Sequence, residues 1–393
     1  MMMKKNDFNP QCLTFSQMNL IFNARIYYRR LTTWTRAYVL ARYFGVGTAE
    51  ELFGRLYLES LDIGDMFQFV FGRQVAEQYS QLAGQFAIAF RDLISAQLDG
   101  NTDEITKNVD RLYQNVAKRS IFLEELNPYW SAEGYRNLFG TYIQYIIEIA
   151  NAIAAGDYSR DIELYDRLTA HTNRMGDVFA QGMYNYITSG MEPPDTLPAN
   201  DSGECITYEQ MEVIYNIRMV WFELFYWVRN YMLSRYVGLG NVDEVFTRLQ
   251  QVSVDYTNAL KQVFGEQVAE DLLQEINLYF VLLGDFITAQ MEGNTDELDR
   301  VTQLLYENAE KRAALISSVN PLWDFNEWRT RLFNNTRITI DESTTFLTGD
   351  YARNIDIFSR LLDLSESTST YFAQGIYQYL SQQSNPSTSR RSF

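Results

Sequence analysis

A single histidine is the only imidazole that this chain offers for chemistry. Helical bundles hold di-iron centres through two Glu-x-x-His motifs and further carboxylates, but the residue three before His171 is Leu168. A haem bound by His171 alone is the remaining cofactor hypothesis, and the alternative is an ordinary core or surface histidine. The sequence therefore predicts no metal site and no cofactor.

Two cysteines, Cys12 and Cys205, are the other reactive side chains. Each stands two residues before a threonine that can cap a helix, and a helix N-terminus favours the thiolate form of cysteine. The two residues either form a disulfide, within or between chains, or remain as buried thiols. So few cysteines exclude a disulfide scaffold, and a reducing compartment is the default expectation.

The two cysteines occupy equivalent places, 193 residues apart, in an internal repeat. The same offset relates residues 71–104 to residues 264–297, which match without a gap at 16 of 34 positions. A chain of 393 residues is also longer than one hydrophobic core usually serves. The sequence therefore predicts one fold present twice.

Helical signals fill both halves of the chain. In the third helix of the first half, apolar residues recur in steps of three and four, which is typical of a helix with one buried face. Asn101 and Asn294 precede matched helices as caps, and Asn127-Pro-x-Trp130 interrupts the helical pattern, as does its repeat at 320–323. No alternating strand pattern is visible. The predicted class is all-α, with two homologous helical-bundle domains of about six helices each, related by a pseudo-two-fold axis.

The expected domain boundaries follow from the repeat and from the composition of the segments around it. Residues 12–189 form the first helical bundle and residues 205–382 form the second. Between them, residues 190–204 carry three prolines and several turn-forming residues, so they are expected to form a linker. The Ser-, Gln- and Arg-containing segment 383–393 is expected to be a disordered tail.

Composition limits the partners. A formal net charge of −17 repels nucleic acids and anionic membranes, so a basic protein or a second copy of the chain is the expected partner. No signal peptide is visible at the start, and the longest apolar runs fall short of the roughly 20 residues of a membrane span. We therefore expect a soluble, cytoplasmic protein with no membrane span.

Charged residues kept in both halves suggest two uses. Arg36 aligns with Arg229, and the carboxylate of Glu148 aligns with that of Asp341. Such residues can form buried ion pairs that fix how helices pack, or Arg36 and Arg229 can line an anion site. No nucleophile or glycine-rich phosphate loop accompanies them, so ion pairing is the favoured interpretation.

The aromatic residues that recur at matched positions of the two halves likewise belong either to the core or to a ligand pocket between helices. If a pocket exists, the sequence predicts that it is lined by residues of the first half: Trp34, Arg36, Gln85, Tyr142, Glu148 and His171.

Several motifs resemble a known family. The order Trp34-Thr35-Arg36, a Phe-Gly break, Gly-Asn-Thr-Asp, Asn-Pro-x-Trp and Gly-Asp-Tyr is similar to short single-unit helical proteins of spore-forming bacteria, which are sometimes labelled acetylglutamate kinase. The resemblance covers each half almost end to end, but its motifs are helix boundaries. It gives no support for a kinase, because an amino-acid kinase needs an α/β sheet with glycine-rich phosphate loops.

The family pattern also implies histidines on the inner faces of the first, third, fifth and sixth helices. The matching positions of this chain carry other residues except at one place: Leu31, Gln85, Tyr142 and His171 in the first half, and Leu224, Leu278, Asn335 and Leu364 in the second. If the family binds a metal, the resemblance implies that this doubled member has lost the site.

Three functional hypotheses follow. The first is a non-catalytic tandem bundle that works through its surfaces, by self-association or by binding another protein, and a spore-associated component is one concrete version of it. The second is a small-ligand or cofactor binder with a site between helices. The third is an enzyme that uses the carboxylate of Glu148 or Asp92, although no catalytic constellation is found.

Overall fold

The computed structural model describes residues 8–47, 49–188 and 205–384, and these residues are helical almost throughout, which confirms the all-α class. They divide into two compact units. The first unit contains Ser16–Asp201 with Met1–Asn9, and the second contains Ser202–Phe393 with Pro10–Phe15. The predicted linker and most of the predicted tail lie outside the described residues, and the last helix continues to Ser384.

Seven helices form the described part of the first unit. They are α1 (Phe15–Phe44), α2 (Ala49–Leu61), α3 (Ile63–Phe71), α4 (Arg73–Leu98), α5 (Thr102–Leu126), α6 (Ala132–Ala155) and α7 (Tyr158–Thr188). The repeat predicted about six. The extra helix arises because α2 and α3 are separate, whereas one continuous helix fills the same place in the second unit.

Six helices form the described part of the second unit. They are α8 (Tyr208–Val237), α9 (Val242–Phe264), α10 (Glu266–Glu292), α11 (Thr295–Val319), α12 (Phe325–Thr348) and α13 (Tyr351–Ser384). The caps form as expected where they are strongest. Thr207 and Gln210 make a reciprocal capping box, and the side chains of Asn101 and Asn294 accept the backbone N–H of the residue three positions on.

The break between α2 and α3 allows a close approach to α4. A Cβ atom placed on Gly64 would lie 2.3 Å from the hydroxyl oxygen of Ser80. That hydroxyl donates to the carbonyl of Leu61 at the end of α2, at 2.9 Å. The position equivalent to Gly64 is Thr257, which lies inside α9. A larger residue at position 64 would force Ser80 to move, and the second unit, which has Thr257 there, has no such close approach.

The Asn-Pro-x-Trp motif fixes the last helix of each unit. Asn127 donates to the carbonyl of Gly182 and Asn320 donates to that of Gly375, each at 3.0 Å. A Cβ on either glycine would lie 1.9 Å from the Trp indole nitrogen. The motif and the glycine are thus two sides of one contact, which explains why both recur.

A short strand pair lies within the second unit. Strand β1 (Leu13–Thr14) precedes α1 and pairs antiparallel with β2 (Cys205–Ile206). Beside it, Cys12 and Cys205 are joined by a disulfide. The expectation of no strands was wrong here, since two residues are too few to show an alternating pattern. The pairing also explains why Pro10–Phe15 groups with the second unit, although the repeat assigns residues from 12 onward to the first.

Two helices, Ala132–Ala155 and Glu266–Glu292, are long and apolar enough to cross a membrane by length and composition. The sequence predicted no membrane span. Half of each apolar window is buried inside its unit, as in the core helix of a bundle, so the length and composition of the two helices are weak evidence for a span.

Reduction of the disulfide is expected to destabilise the second unit. The bond closes a loop of 193 residues, and the chain-entropy estimate for a loop of this length is at most about 5 kcal/mol. Urea unfolding with and without reductant measures the effect. A double Cys12→Ser, Cys205→Ser variant should unfold like the reduced protein and ignore reductant. A fully reduced wild type with an unchanged midpoint would contradict the expectation.

Candidate functional site

The six residues predicted to line a pocket do not meet at one site. In the first unit Trp34, Arg36 and Tyr142 are buried, Gln85 and Glu148 are exposed, and His171 is half-buried. Glu148 lies on the surface, 3.4 Å from Arg160, because one residue step turns a helix by about 100° and the inward position of α6 belongs to Ile149. Its repeat partner Asp341 is also partly exposed, 3.4 Å from Arg337.

The lone histidine has a structural partner. A ring nitrogen of His171, Nε2, lies 2.8 Å from the carbonyl oxygen of Leu138 on α6. Burial lowers the pKa of His171, so the neutral imidazole is favoured. The histidine therefore ties α7 to α6. Tyr142 does not take part in this contact. Its hydroxyl is hydrogen-bonded to the hydroxyl of Thr35, at 3.3 Å.

Arg36 forms a fully buried ion pair. It donates to both carboxylate oxygens of Asp161 on α7, with Nε 2.9 Å from Oδ1, and both side chains are almost completely removed from solvent. Its guanidinium also lies 5.4 Å from the centre of the Tyr165 ring. This pair leaves Arg36 no free charge for a ligand, so the ion-pair alternative describes this residue.

The second unit keeps the arginine and moves its counter-charge to another helix. Arg229 is equivalent to Arg36, but Asn354 replaces the aspartate and accepts a hydrogen bond of 2.7 Å. The carboxylate is now Glu342 on α12, whose Oε1 lies 3.5 Å from Nε of Arg229. Glu342 is equivalent to Ile149. Each unit therefore sets one carboxyl group beside this buried arginine, although the carboxyl group comes from a different helix in each.

Glu342 is a buried carboxyl with few donors around it. Neither of its oxygens receives a hydrogen bond from a described residue. Burial raises the pKa of Glu342 to about 8, against a smaller lowering by the charge of Arg229. The carboxyl therefore exchanges a proton near neutral pH, inside the core of the second unit.

Glu342 belongs to a polar stripe that the first unit lacks. Between residues 142 and 150 the inward face of α6 is apolar apart from the hydroxyl of Tyr142, whereas the same stretch of α12 carries five buried polar side chains. The α6 residues are Tyr142, Ile143, Ile146, Ile149 and Ala150, and their α12 counterparts are Asn335, Thr336, Thr339, Glu342 and Ser343. The side-chain amide of Asn335 makes no hydrogen bond to a described residue. This face of α12 is therefore more polar than the equivalent face of α6.

A second arginine is buried in each unit at an equivalent place. Arg119 on α5 donates to the hydroxyl of Tyr79 at 2.8 Å and lies 4.2 Å from the centre of the Phe139 ring. Arg312 on α11 lies 4.7 Å from the Tyr279 ring, but Leu272 stands where the acceptor Tyr79 would be. Neither arginine has a carboxylate within ion-pair distance among the described residues. Instead, an aromatic ring lies against each guanidinium group.

Each of these arginines lines a small cavity. The cavity beside Arg119, of about 10 Å³, also touches Tyr142 and Leu31. The cavity beside Arg312, of about 20 Å³, is lined by Trp221 and Tyr256. These volumes suit one or two atoms, and the space beside Arg36 is too small for a water molecule.

Sequence reasoning missed this second pair of arginines. Arg119 recurs as Arg312, and on α5 it continues the buried series Leu112, Val116 and Leu123 at helical spacing. Retention together with this spacing was the available signal. The described residues contain no group of three or more His, Cys, Asp or Glu that could hold a metal ion.

Comparison with known proteins identifies no relative: no family model, curated protein or solved structure matches this chain.

The moved counter-charge predicts a rescue. Asp161→Asn strands a buried arginine in the first unit and should cost about 3–5 kcal/mol of unfolding free energy. Adding Ile149→Glu recreates the arrangement of the second unit and should recover part of that loss, while Ile149→Glu alone should destabilise. Urea unfolding measures all three variants. A double variant no more stable than Asp161→Asn would contradict a shared pairing geometry.

Glu342 predicts a pH dependence of known sign. Its folded pKa of about 8 lies above the ordinary value of 4.5, so its favourable contribution is full below pH 4.5 and is lost as the pH rises through 8. Glu342→Gln cannot ionise. We expect the unfolding free energy of the variant, measured with urea, to rise relative to that of the wild type by a few kcal/mol between pH 5 and pH 9. Parallel pH profiles for the two proteins would contradict the assignment.

Proposed function

We propose that this chain is a non-catalytic protein of tandem helical bundles that works through its surfaces, by associating with itself or with another protein. The observation that carries the proposal is the use of the retained charges. Arg36 and Arg229, the charged residues most suited to a site, serve internal contacts to Asp161 and Glu342. The carboxylate of Glu148, a candidate for catalysis, lies on the surface beside Arg160 and is not in contact with these groups.

Exposed apolar side chains on each unit support association. In the first unit Phe69, near the end of α3, is 92% exposed. In the second unit Leu278 and Val281 lie one turn apart on α10 and are 40% and 54% exposed. Large exposed apolar groups gain from burial against a partner, so these positions are the proposed contacts.

Because the chain is acidic, salt dependence distinguishes self-association from binding to a basic protein. A net charge of −17 opposes self-association at low salt, whereas it attracts a basic partner under the same conditions. Self-association should therefore strengthen as salt screens the charge, and binding of a basic protein should weaken.

The location of the protein is part of the proposal. The sequence predicted a reducing, cytoplasmic compartment, but disulfides are rare in the cytosol and the Cys12–Cys205 bond favours an oxidising site. A spore layer, which the family resemblance suggests, satisfies this condition.

A second candidate function is a small-ligand site inside a bundle. One observation favours it: the cavity of the second unit is lined by the guanidinium of Arg312. This differs from the pocket expected from sequence, which was assigned to the first unit.

Mass in solution tests the surface proposal. We expect sedimentation equilibrium to show a reversible oligomer that strengthens with salt, and Phe69→Ser to weaken it because that ring is the most exposed large apolar side chain. Leu98→Ser, at a 39% exposed site on α4, is the matched control. Metal content and visible absorption are recorded on the same sample.

A wild type that remains monomeric at every salt concentration and binds no basic protein would contradict the proposal. Stoichiometric metal or a coloured cofactor would do so as well, since either would point to chemistry.

A further inference from the structure

Three residues that line one cavity in the second unit each carry a buried hydrogen-bond donor without an acceptor. The donors come from three helices: the indole N–H of Trp221 on α8, the hydroxyl of Tyr256 on α9 and the Nε–H of Arg312 on α11. These side chains are 4%, 3% and 6% exposed. Not one of the three groups has a hydrogen-bond partner among the described residues. A buried donor without an acceptor costs about 1–3 kcal/mol, so three around one space indicate an occupant that accepts.

The charge at this place is also uncompensated. An arginine stays protonated inside proteins, and the described carboxylates lie beyond 4.0 Å of Arg312. Glu275, an acid that acts on Arg312 electrostatically, is engaged by the side chain of Asn308 at 2.8 Å. The remaining lining is apolar apart from Ser253, whose hydroxyl donates to the carbonyl of Gln250. A net positive charge therefore faces the cavity.

We propose that the second unit binds one halide-sized inorganic anion, such as chloride, in the cavity lined by Arg312, Trp221 and Tyr256. The cavity of about 20 Å³ admits a particle the size of a single water molecule and excludes organic ligands. A water molecule satisfies these donors less well, because it brings two hydrogens of its own and no charge. A halide accepts from all three donors and neutralises the guanidinium.

The inference goes beyond surface-mediated association and specifies the second candidate function, on which it rests. The first unit serves as the internal comparison. There Arg119 donates to Tyr79, and Ile63 stands in place of Tyr256. The proposed site is therefore a property of the second unit, created where the repeat lost an acceptor and gained a donor.

The test compares unfolding midpoints in sodium chloride, sodium bromide and sodium gluconate at equal ionic strength. We expect halides to raise the midpoint in a saturable way, with gluconate as the non-binding reference. Arg312→Met should abolish the difference, whereas Arg300→Gln, an exposed arginine on the same helix, should leave it intact. Tyr256→Phe and Trp221→Phe keep the charge but remove one donor each, and each should weaken apparent halide affinity about tenfold.

Crystals grown in bromide place the ion by its anomalous scattering, and the proposal expects one peak beside Arg312. Equal midpoints in chloride and gluconate overturn it, as does halide dependence that survives Arg312→Met or disappears in Arg119→Met instead. Stabilisation by nitrate or formate without any by halide overturns the halide assignment but keeps an internal ligand site. If none of these anions stabilises the protein, both the halide assignment and the internal ligand site are ruled out. The proposal of surface association is tested separately and is unaffected.

Discussion

A guanidinium group removed from water must have its charge and its donors satisfied by neighbouring groups, and each bundle buries three such groups at equivalent positions: Arg25, Arg36 and Arg119 in the first, and Arg218, Arg229 and Arg312 in the second. The first two of each set lie on the first helix of their unit, and Arg119 and Arg312 lie on matched later helices. Uncompensated, each would cost several kcal/mol, a large share of the stability of a domain. The side chains around these six positions are therefore the most constrained part of each unit, and the packing of α1, α5, α6 and α7 and of their counterparts has to provide for them.

The two units meet this constraint in different ways. The first unit supplies Asp161 to Arg36 and a cage of Tyr79 and Phe139 to Arg119. The second unit moves the carboxylate to Glu342, and around Arg312 it provides donors instead of acceptors. The two units thus differ more in the groups around these arginines than in the order of their helices. The first unit pairs Arg36 with a carboxylate, whereas the second unit sets Arg229 beside a carboxyl group of raised pKa and, on our proposal, holds an anion beside Arg312.

The architecture could be predicted from the sequence because its signals are local. Caps such as Asn101, the apolar stripe of α4 and the recurring Asn-Pro-x-Trp motif act within one helix or across one turn, and the repeat shows each signal twice. The break at Asp62 was missed because the contact that accompanies it, between Gly64 and Ser80, joins two different helices. The strand pair was missed because two residues carry no pattern.

The candidate site could be predicted only in part, because it depends on which way each side chain turns and which helix it meets. The sequence correctly indicated that Arg36 is a buried charge, but it did not identify the partner of Arg36. The partner lies on α7 in the first unit and on α12 in the second, so no carboxylate recurs at the same position in both halves. Glu148 was chosen for retention and lies one residue from the inward face. Arg119 carried both retention and buried spacing. Arg119 could have been identified as an arginine on the buried face of a helix, retained in both halves, with no retained carboxylate to pair with it.

The most direct measurement of the central claim is proton exchange at the arginine Nε–H groups, followed by nuclear magnetic resonance of protein labelled with nitrogen-15. If Arg36, Arg119, Arg229 and Arg312 are enclosed and held as described, their Nε–H signals persist long after the exposed arginines have exchanged, and Arg36 shows the shift of a bond to a carboxylate. Loss of all four signals as fast as those of surface arginines would show that water reaches the centre of each bundle, and would contradict the account.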